Sequence, residues 1–147
     1  MKVKFLNGHE EEFETLAGAA LVGADLRGED LRGEDLSVAD LRCANLHGAA
    51  LDGANLWGAD MTWANLCMVD LTGADMRGAY LRGAALQGAD LRCANLRGAT
   101  LEGADLRGAK FEDAAMPQDA LVGTILDKEQ YARLRDILDE VGKTVDD

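Results

Sequence analysis

From Leu16 to Met116 an apolar residue falls on every fifth position, 21 times without interruption. Seventeen are Leu, the others are Met61, Met76, Phe111 and Met116, and no leucine in this stretch lies off the register. Steps of five turn successive positions by ~140° on an α-helix, which scatters the leucines around its axis and excludes one long helix. In an extended segment, by contrast, residues two apart point the same way. Two residues before the apolar position stands Ala in 17 of the 21 units, and two after it stands Gly in 14. Ala and Leu therefore face inward together, and the Asp or Asn between them faces out. The last two residues turn a corner, where Gly adopts positive φ without steric cost. Each pentapeptide is one wall and one corner, and it can bury its apolar side only by stacking on its neighbours.

Units such as Ala24-Asp25-Leu26-Arg27-Gly28 and Ala104-Asp105-Leu106-Arg107-Gly108 show the motif A(D/N)LxG, repeated without insertion from about Glu14 to Gln118. This motif closely resembles the pentapeptide repeat family. The resemblance implies an all-β fold, a right-handed quadrilateral β-helix (β-solenoid) with four pentapeptides per coil, here about five coils over residues 14–126. At ~4.8 Å per coil the rod is only ~25 Å long. Leu121 and Leu126 keep the register and extend it by up to half a coil.

Both ends are predicted to be covered. Residues 1–13 read as an N-terminal cap: Lys2-Val3-Lys4-Phe5 alternates like a strand, Asn7-Gly8 signals a hairpin turn, and Glu10 to Phe13 return. Asp127 is a helix N-cap candidate, with Gln130 three residues on. Tyr131, Leu134, Ile137, Leu138 and Val141 then recur at helical spacing, predicting a C-terminal capping α-helix over 127–142 and a tail over 143–147. Its apolar stripe either closes the open solenoid end or joins two chains in a homodimer. The resemblance keeps the dimer in view, because relatives that protect DNA gyrase join two rods through this segment.

The chain carries Cys43, Cys67 and Cys93, an odd number without CxxC spacing, which argues against a disulfide framework or a structural zinc site. No apolar run reads as a signal peptide or a membrane span, so a soluble, cytoplasmic protein with no membrane partner is expected. The net charge of −12 opposes direct nucleic-acid binding.

Residues 20 apart are expected to stack in columns up the rod. Asp35, Asn55, Asp75 and Asn95 form one such ladder, where alternation separates like charges. Asp40 over Asp60 and Asp70 over Asp90 do not alternate, which makes these four the candidates for an anionic binding surface. Arginines at the first corner position, Arg27 and Arg107 among them, stand near the Asp positions and can pair with them. Trp57, Trp63, Met68 and Tyr80 break the small-residue pattern within neighbouring coils and are the candidate contact patch, although Arg77 stacks over Trp57 and can cover it. His47 and Cys67 share a column and can touch, but the column offers no third metal ligand. Glu14, Glu29 and Glu34 replace the inward Ala at the start of the repeat. A buried unpaired carboxylate is costly, so these three are expected to reach solvent or Lys2 and Lys4 at the open end.

No catalytic, cofactor-binding or metal site is predicted: the core is filled by Ala and Leu rows, no nucleophile is paired with a base, and Ser37 is the chain's single serine. The favoured role is a non-catalytic scaffold that binds a protein partner through its outer faces. The alternative, carried by the resemblance, is a DNA mimic that binds and protects or inhibits DNA gyrase or another topoisomerase. Duplex DNA has one negative charge per ~1.7 Å, about 15 over such a rod. Residues 16–116 hold 15 acidic and nine basic side chains, net −6, and the termini hold the rest. The rod is therefore less than half as charged as the duplex it would imitate.

Overall fold

The structure of the protein, a computed structural model, is described over residues 1–143. Parallel bridges join residues 20 apart, such as Asp35 to Asn55, Asp40 to Asp60, Asn45 to Asn65 and Asp70 to Asp90. Bridging positions recur every five residues along the chain, so one coil takes four walls. Wall 1 presents Asp35, Asn55, Asp75 and Asn95. Wall 2 presents Asp40, Asp60, Tyr80 and Thr100, and wall 3 presents Asp25, Asn45, Asn65, Ala85 and Asp105. Wall 4 presents Asp30, Ala50, Asp70, Asp90 and Lys110. Walls 1 and 3 are opposite in the order of the chain, as are walls 2 and 4.

The backbone shows why five residues suffice for a wall and a corner. Coils are tied by amides to the carbonyls of the adjacent coil, as in Leu36 N to Asn55 O at 2.8 Å and Asp60 N to Ala39 O at 2.9 Å. Each corner closes on itself, as when Ala39 N donates to Leu36 O at 3.1 Å. The corner's second residue has positive φ and its first does not, the signature of a type II turn. The outward Asp or Asn accepts the amide two residues on, for example Thr62 N to Asp60 Oδ1 at 3.0 Å, which explains the preference for these residues before the apolar position.

The inward Leu and Ala rows are buried from Leu16 to Met116, with Leu21, Leu66 and Leu106 fully inaccessible. Burying each Leu contributes roughly 1.5–3 kcal/mol relative to its exposed state. The stack continues past the regular motif, where Leu106 N donates to Ile125 O at 2.9 Å.

At the N-terminal end β1 (Lys2–Phe5) pairs antiparallel with β2 (Glu10–Glu12) and with β3 (Ala24–Asp25), so the hairpin attaches to wall 3 of the first coil. Val3 alone in β1 is buried, packed into the core cluster. Lys2 pairs with Glu10 and not with the glutamates of the first coil, so of the two expected outcomes for those glutamates the solvent-facing one is met. Glu14, Glu29 and Glu34 are exposed and line a hollow of about 440 Å³ together with Met1 and Phe13.

At the other end α1 (Lys128–Lys143) begins one residue later than the spacing predicted. Asp127 Oδ1 accepts the amides of Glu129 and Gln130, both at 3.0 Å, and its Oδ2 accepts Gly108 N at 3.3 Å. The capping residue thus also ties the helix to the rod. Leu134 is fully buried, with Ile137 and Leu138 packed against the core cluster. Tyr131 and Val141 keep 50% and 44% of their surface, so they lie off the covered stripe. Of the tail expected over 143–147, Lys143 ends α1 and residues 144–147 lie outside the described residues.

Candidate functional site

The outer walls carry the features that set this chain apart from a uniform repeat. Wherever Asp is followed two residues later by Arg, the two form a bidentate pair. Asp25 with Arg27, Asp30 with Arg32, Asp40 with Arg42, Asp75 with Arg77, Asp90 with Arg92 and Asp105 with Arg107 all close within 2.6–2.7 Å. The guanidinium of Arg32 holds the Asp30 carboxyl down at about 2, and the same hydrogen bonding lowers Asp40, Asp75 and Asp90. The walls are therefore largely self-neutralised.

This arrangement corrects the expectation of two repulsive acidic stacks. Asp40 and Asp90 are each engaged by their own arginine, leaving Asp60 and Asp70 as the carboxylates of those stacks whose own units supply Thr62 and Thr72 instead. The two stacks also lie on opposite walls, Asp40 and Asp60 on wall 2, Asp70 and Asp90 on wall 4, so the four do not form one surface. On wall 1 the ladder makes one rung, Asn55 Nδ2 donating to Asp35 Oδ1 at 3.0 Å, while Asp75 is held by Arg77.

Wall 2 gathers the aromatic residues. Trp57 stands at the corner that enters it and Trp63 at the corner that leaves it, with Asp60 between them and Tyr80 one coil on. Their exposures are 51%, 64% and 52% in the order Trp57, Trp63, Tyr80. Arg77 turns to Asp75 and leaves Trp57 open, so the expected cover is not made. Met68 belongs to a different corner, between walls 3 and 4, and is separated from this group by wall 3.

Trp63 and Met68 occupy the corner position that Gly fills elsewhere, with φ of 59° and 57°. Val38, Cys43, Cys93 and Asp113 do the same. A side chain in this left-handed conformation costs about 1–2 kcal/mol. The indole of Trp63 lies over Gly83 in the next coil: a Cβ there would meet the ring at 2.4 Å. Met68 lies over Gly88 in the same way, its Sδ 2.5 Å from where a Cβ would stand. Sequence reasoning missed both contacts, although the separation of 20 residues was the signal for them.

His47 and Cys67 do not form a pair. Cys67 Sγ instead donates to Gln87 Oε1 at 3.0 Å, and Gln87 Nε2 donates to Asp105 Oδ2 at 2.6 Å. Among the described residues no three His, Cys, Asp or Glu side chains are placed to hold a metal ion, and no helix is long and apolar enough to cross a membrane.

The family model described as pentapeptide repeats matches in overlapping segments over residues 19–58, 46–83, 59–94 and 79–116, with eight copies. The chain belongs to the pentapeptide repeat family. Among solved structures it is similar to the pentapeptide repeat protein Rfr23 of the cyanobacterium Cyanothece 51142, with 31% identity over 76% of this chain and 86% of that one, TM-score 0.66. It is also similar to a pentapeptide repeat protein of the Arabidopsis thaliana thylakoid lumen, with 35% identity over 67% and 72%, TM-score 0.56. A third, HetL of Nostoc sp. strain PCC 7120, involved in heterocyst differentiation regulation, is 32% identical over 74% of this chain and 58% of its own, TM-score 0.57. No curated protein matches at a significant level. These pentapeptide repeat neighbours support an all-β solenoid.

Proposed function

We propose that this pentapeptide repeat protein is a non-catalytic scaffold, a right-handed rod of about five coils that binds a protein partner through wall 2. The observation that carries the reading is the trio Trp57, Trp63 and Tyr80, each at least half exposed on or beside one wall, where the neighbouring Asp40 and Asp75 are held by their own arginines. Exposed aromatic residues on a rigid support are what a protein interface uses as anchors, and the rod adds little entropic cost of ordering. Trp63 also holds a strained corner conformation that Gly would adopt freely, which favours a role for the indole beyond the fold.

DNA mimicry is the weaker reading. Six of the aspartates that would imitate phosphates are engaged by arginines, and no wall carries a continuous acidic row: wall 1 alternates with Asn, wall 2 gives way to Tyr80 and Thr100, and wall 4 is broken by Ala50 and Lys110. A cytoplasmic setting belongs to the same proposal, since all three cysteines are unpaired.

Gyrase supercoiling, with and without a quinolone, separates the two readings. The protein is titrated beside an Asp60→Asn/Asp70→Asn double variant. The scaffold reading expects no effect from either, whereas inhibition or drug protection by the wild type that the double variant loses would replace it with mimicry.

A further inference from the structure

Resting on the protein-binding reading of wall 2, we infer that the partner presents a basic segment there, with an Arg or Lys side chain seated against the Asp60 carboxylate between the faces of Trp57, Trp63 and Tyr80.

Asp60 is the unusual aspartate of this wall. Its Oδ1 accepts Thr62 N at 3.0 Å, but Thr62 stands where eight other units supply an arginine, six of them paired with their own aspartate. The nearest cation to its Oδ2 is Arg42 Nε from the adjacent coil, at 3.9 Å, and Arg42 is already bidentate on Asp40 at 2.7 Å. The Asp60 side chain is 37% exposed, so a partner can reach the carboxylate. Of the other charges beside the wall, Arg77 is held by Asp75, while Arg82 stands 3.9 Å from Glu102 with 65% of its side chain exposed.

Around this open carboxylate stand two indoles and a phenol. The corners bearing Trp57 and Trp63 are about 10 Å apart, one three-residue wall at ~3.3 Å per residue. The Trp63 ring, lying over Gly83, reaches the level of the coil that carries Tyr80. Aromatic faces beside a carboxylate are the chemistry that holds a cation, and guanidinium also stacks on such faces.

The carboxylate also selects among occupants. A purely apolar partner docked over the tryptophans would desolvate Asp60 without a counter-charge, which is strongly unfavourable. A second copy of this chain brings another acidic surface, and an anionic membrane or nucleic acid is opposed by the net charge of −12. A basic segment satisfies the carboxylate and the rings together, and the same net charge steers it in.

Trp57 and Trp63 are the chain's two tryptophans, so intrinsic fluorescence of the full chain reads this wall directly. The probe is a synthetic peptide of alternating Arg and Gly, beside the same peptide with citrulline in place of Arg. The Arg peptide is expected to give a saturable change and the citrulline peptide none. Asp60→Asn should weaken binding about five- to tenfold, while Asp70→Asn, which removes the same charge beside the same Thr on the opposite wall, should leave it within about twofold. Trp63→Ala, read through Trp57, should weaken it by a similar factor.

Equal losses from Asp60→Asn and Asp70→Asn would reduce the binding to bulk charge and overturn the inference, as would the absence of saturable binding. A natural partner cross-linked to wall 2 that brings no cationic side chain there would sink this inference while leaving the protein-binding reading intact.

Discussion

The indole of Trp63 lies over Gly83, twenty residues on and one coil away, so closely that a Cβ on Gly83 would fall 2.4 Å from the ring. Gly73 has the same conformation, with φ of 67° against 65° for Gly83, and nothing near its would-be Cβ. Gly73→Ala should therefore cost only the backbone strain, about 1 kcal/mol. Gly83→Ala should cost that and the displacement of the indole, about 1–2 kcal/mol more. The excess should vanish when both glycines are compared in a Trp63→Ala background, as chemical denaturation can measure. An equal cost for the two glycines in the parent chain would mean that the indole does not rest there.

Val38 is a β-branched residue at a corner with φ of 55°, exposed to solvent and close to Gly58. Val38→Gly relieves the left-handed strain and gives back part of the gain through a freer unfolded chain, so a net stabilisation of about 0.5–1 kcal/mol is expected. Thermal unfolding of the variant measures it.

Leu134 is fully buried beneath α1, whereas Tyr131 on the same helix keeps half of its surface. Leu134→Ala should cost about 2–4 kcal/mol and loosen the cap. Tyr131→Ala should change stability by less than about 0.5 kcal/mol. If Tyr131 instead belongs to a dimer contact, its substitution shifts the sedimentation coefficient while leaving the unfolding midpoint at high dilution unchanged. Gln130 is buried, and its Oε1 has no hydrogen-bond partner among the described residues, so Gln130→Met should stabilise by about 1 kcal/mol.

Asp30 is held near 2 by Arg32, well below its ordinary value of 3.8. A carboxylate whose folded pKa is depressed stabilises fully above the unfolded value and loses that contribution as pH falls through the folded one. This pair therefore supports the rod at neutral pH and is lost between about pH 4 and pH 2. Arg32→Met should move the Asp30 carboxyl, followed by carbon-detected NMR, back up toward its ordinary value.

The five-residue register from Leu16 to Met116 was sufficient to place the core, because an inward Ala and Leu separated by one outward residue leave a single way to bury both. The length of a coil was not contained in that register; it came with the family resemblance. In coils of 20 residues Asp40 and Asp70 stand one and a half coils apart and so fall on opposite walls, which separates the four aspartates into two surfaces. The neutralisation of Asp40 and Asp90 was written in the Arg two residues later. Glycine statistics concealed the positive φ of Trp63 and Met68, since the turn's geometry is imposed by the stack even where the residue resists it. The 20-residue spacing gives Cys43 and Gly83 as the neighbours of Trp63, and side-chain packing decides that the ring folds onto Gly83.

The most direct measurement on the central claim is site-specific photo-cross-linking in extract of the source cells. A photoreactive aromatic residue is placed at position 57 on wall 2 or at position 72 on wall 4, in otherwise identical full-length chains. Binding through wall 2 predicts one discrete protein adduct from position 57, absent from position 72 and abolished by Trp63→Ala. The same adducts from both positions, or none from position 57, would contradict it.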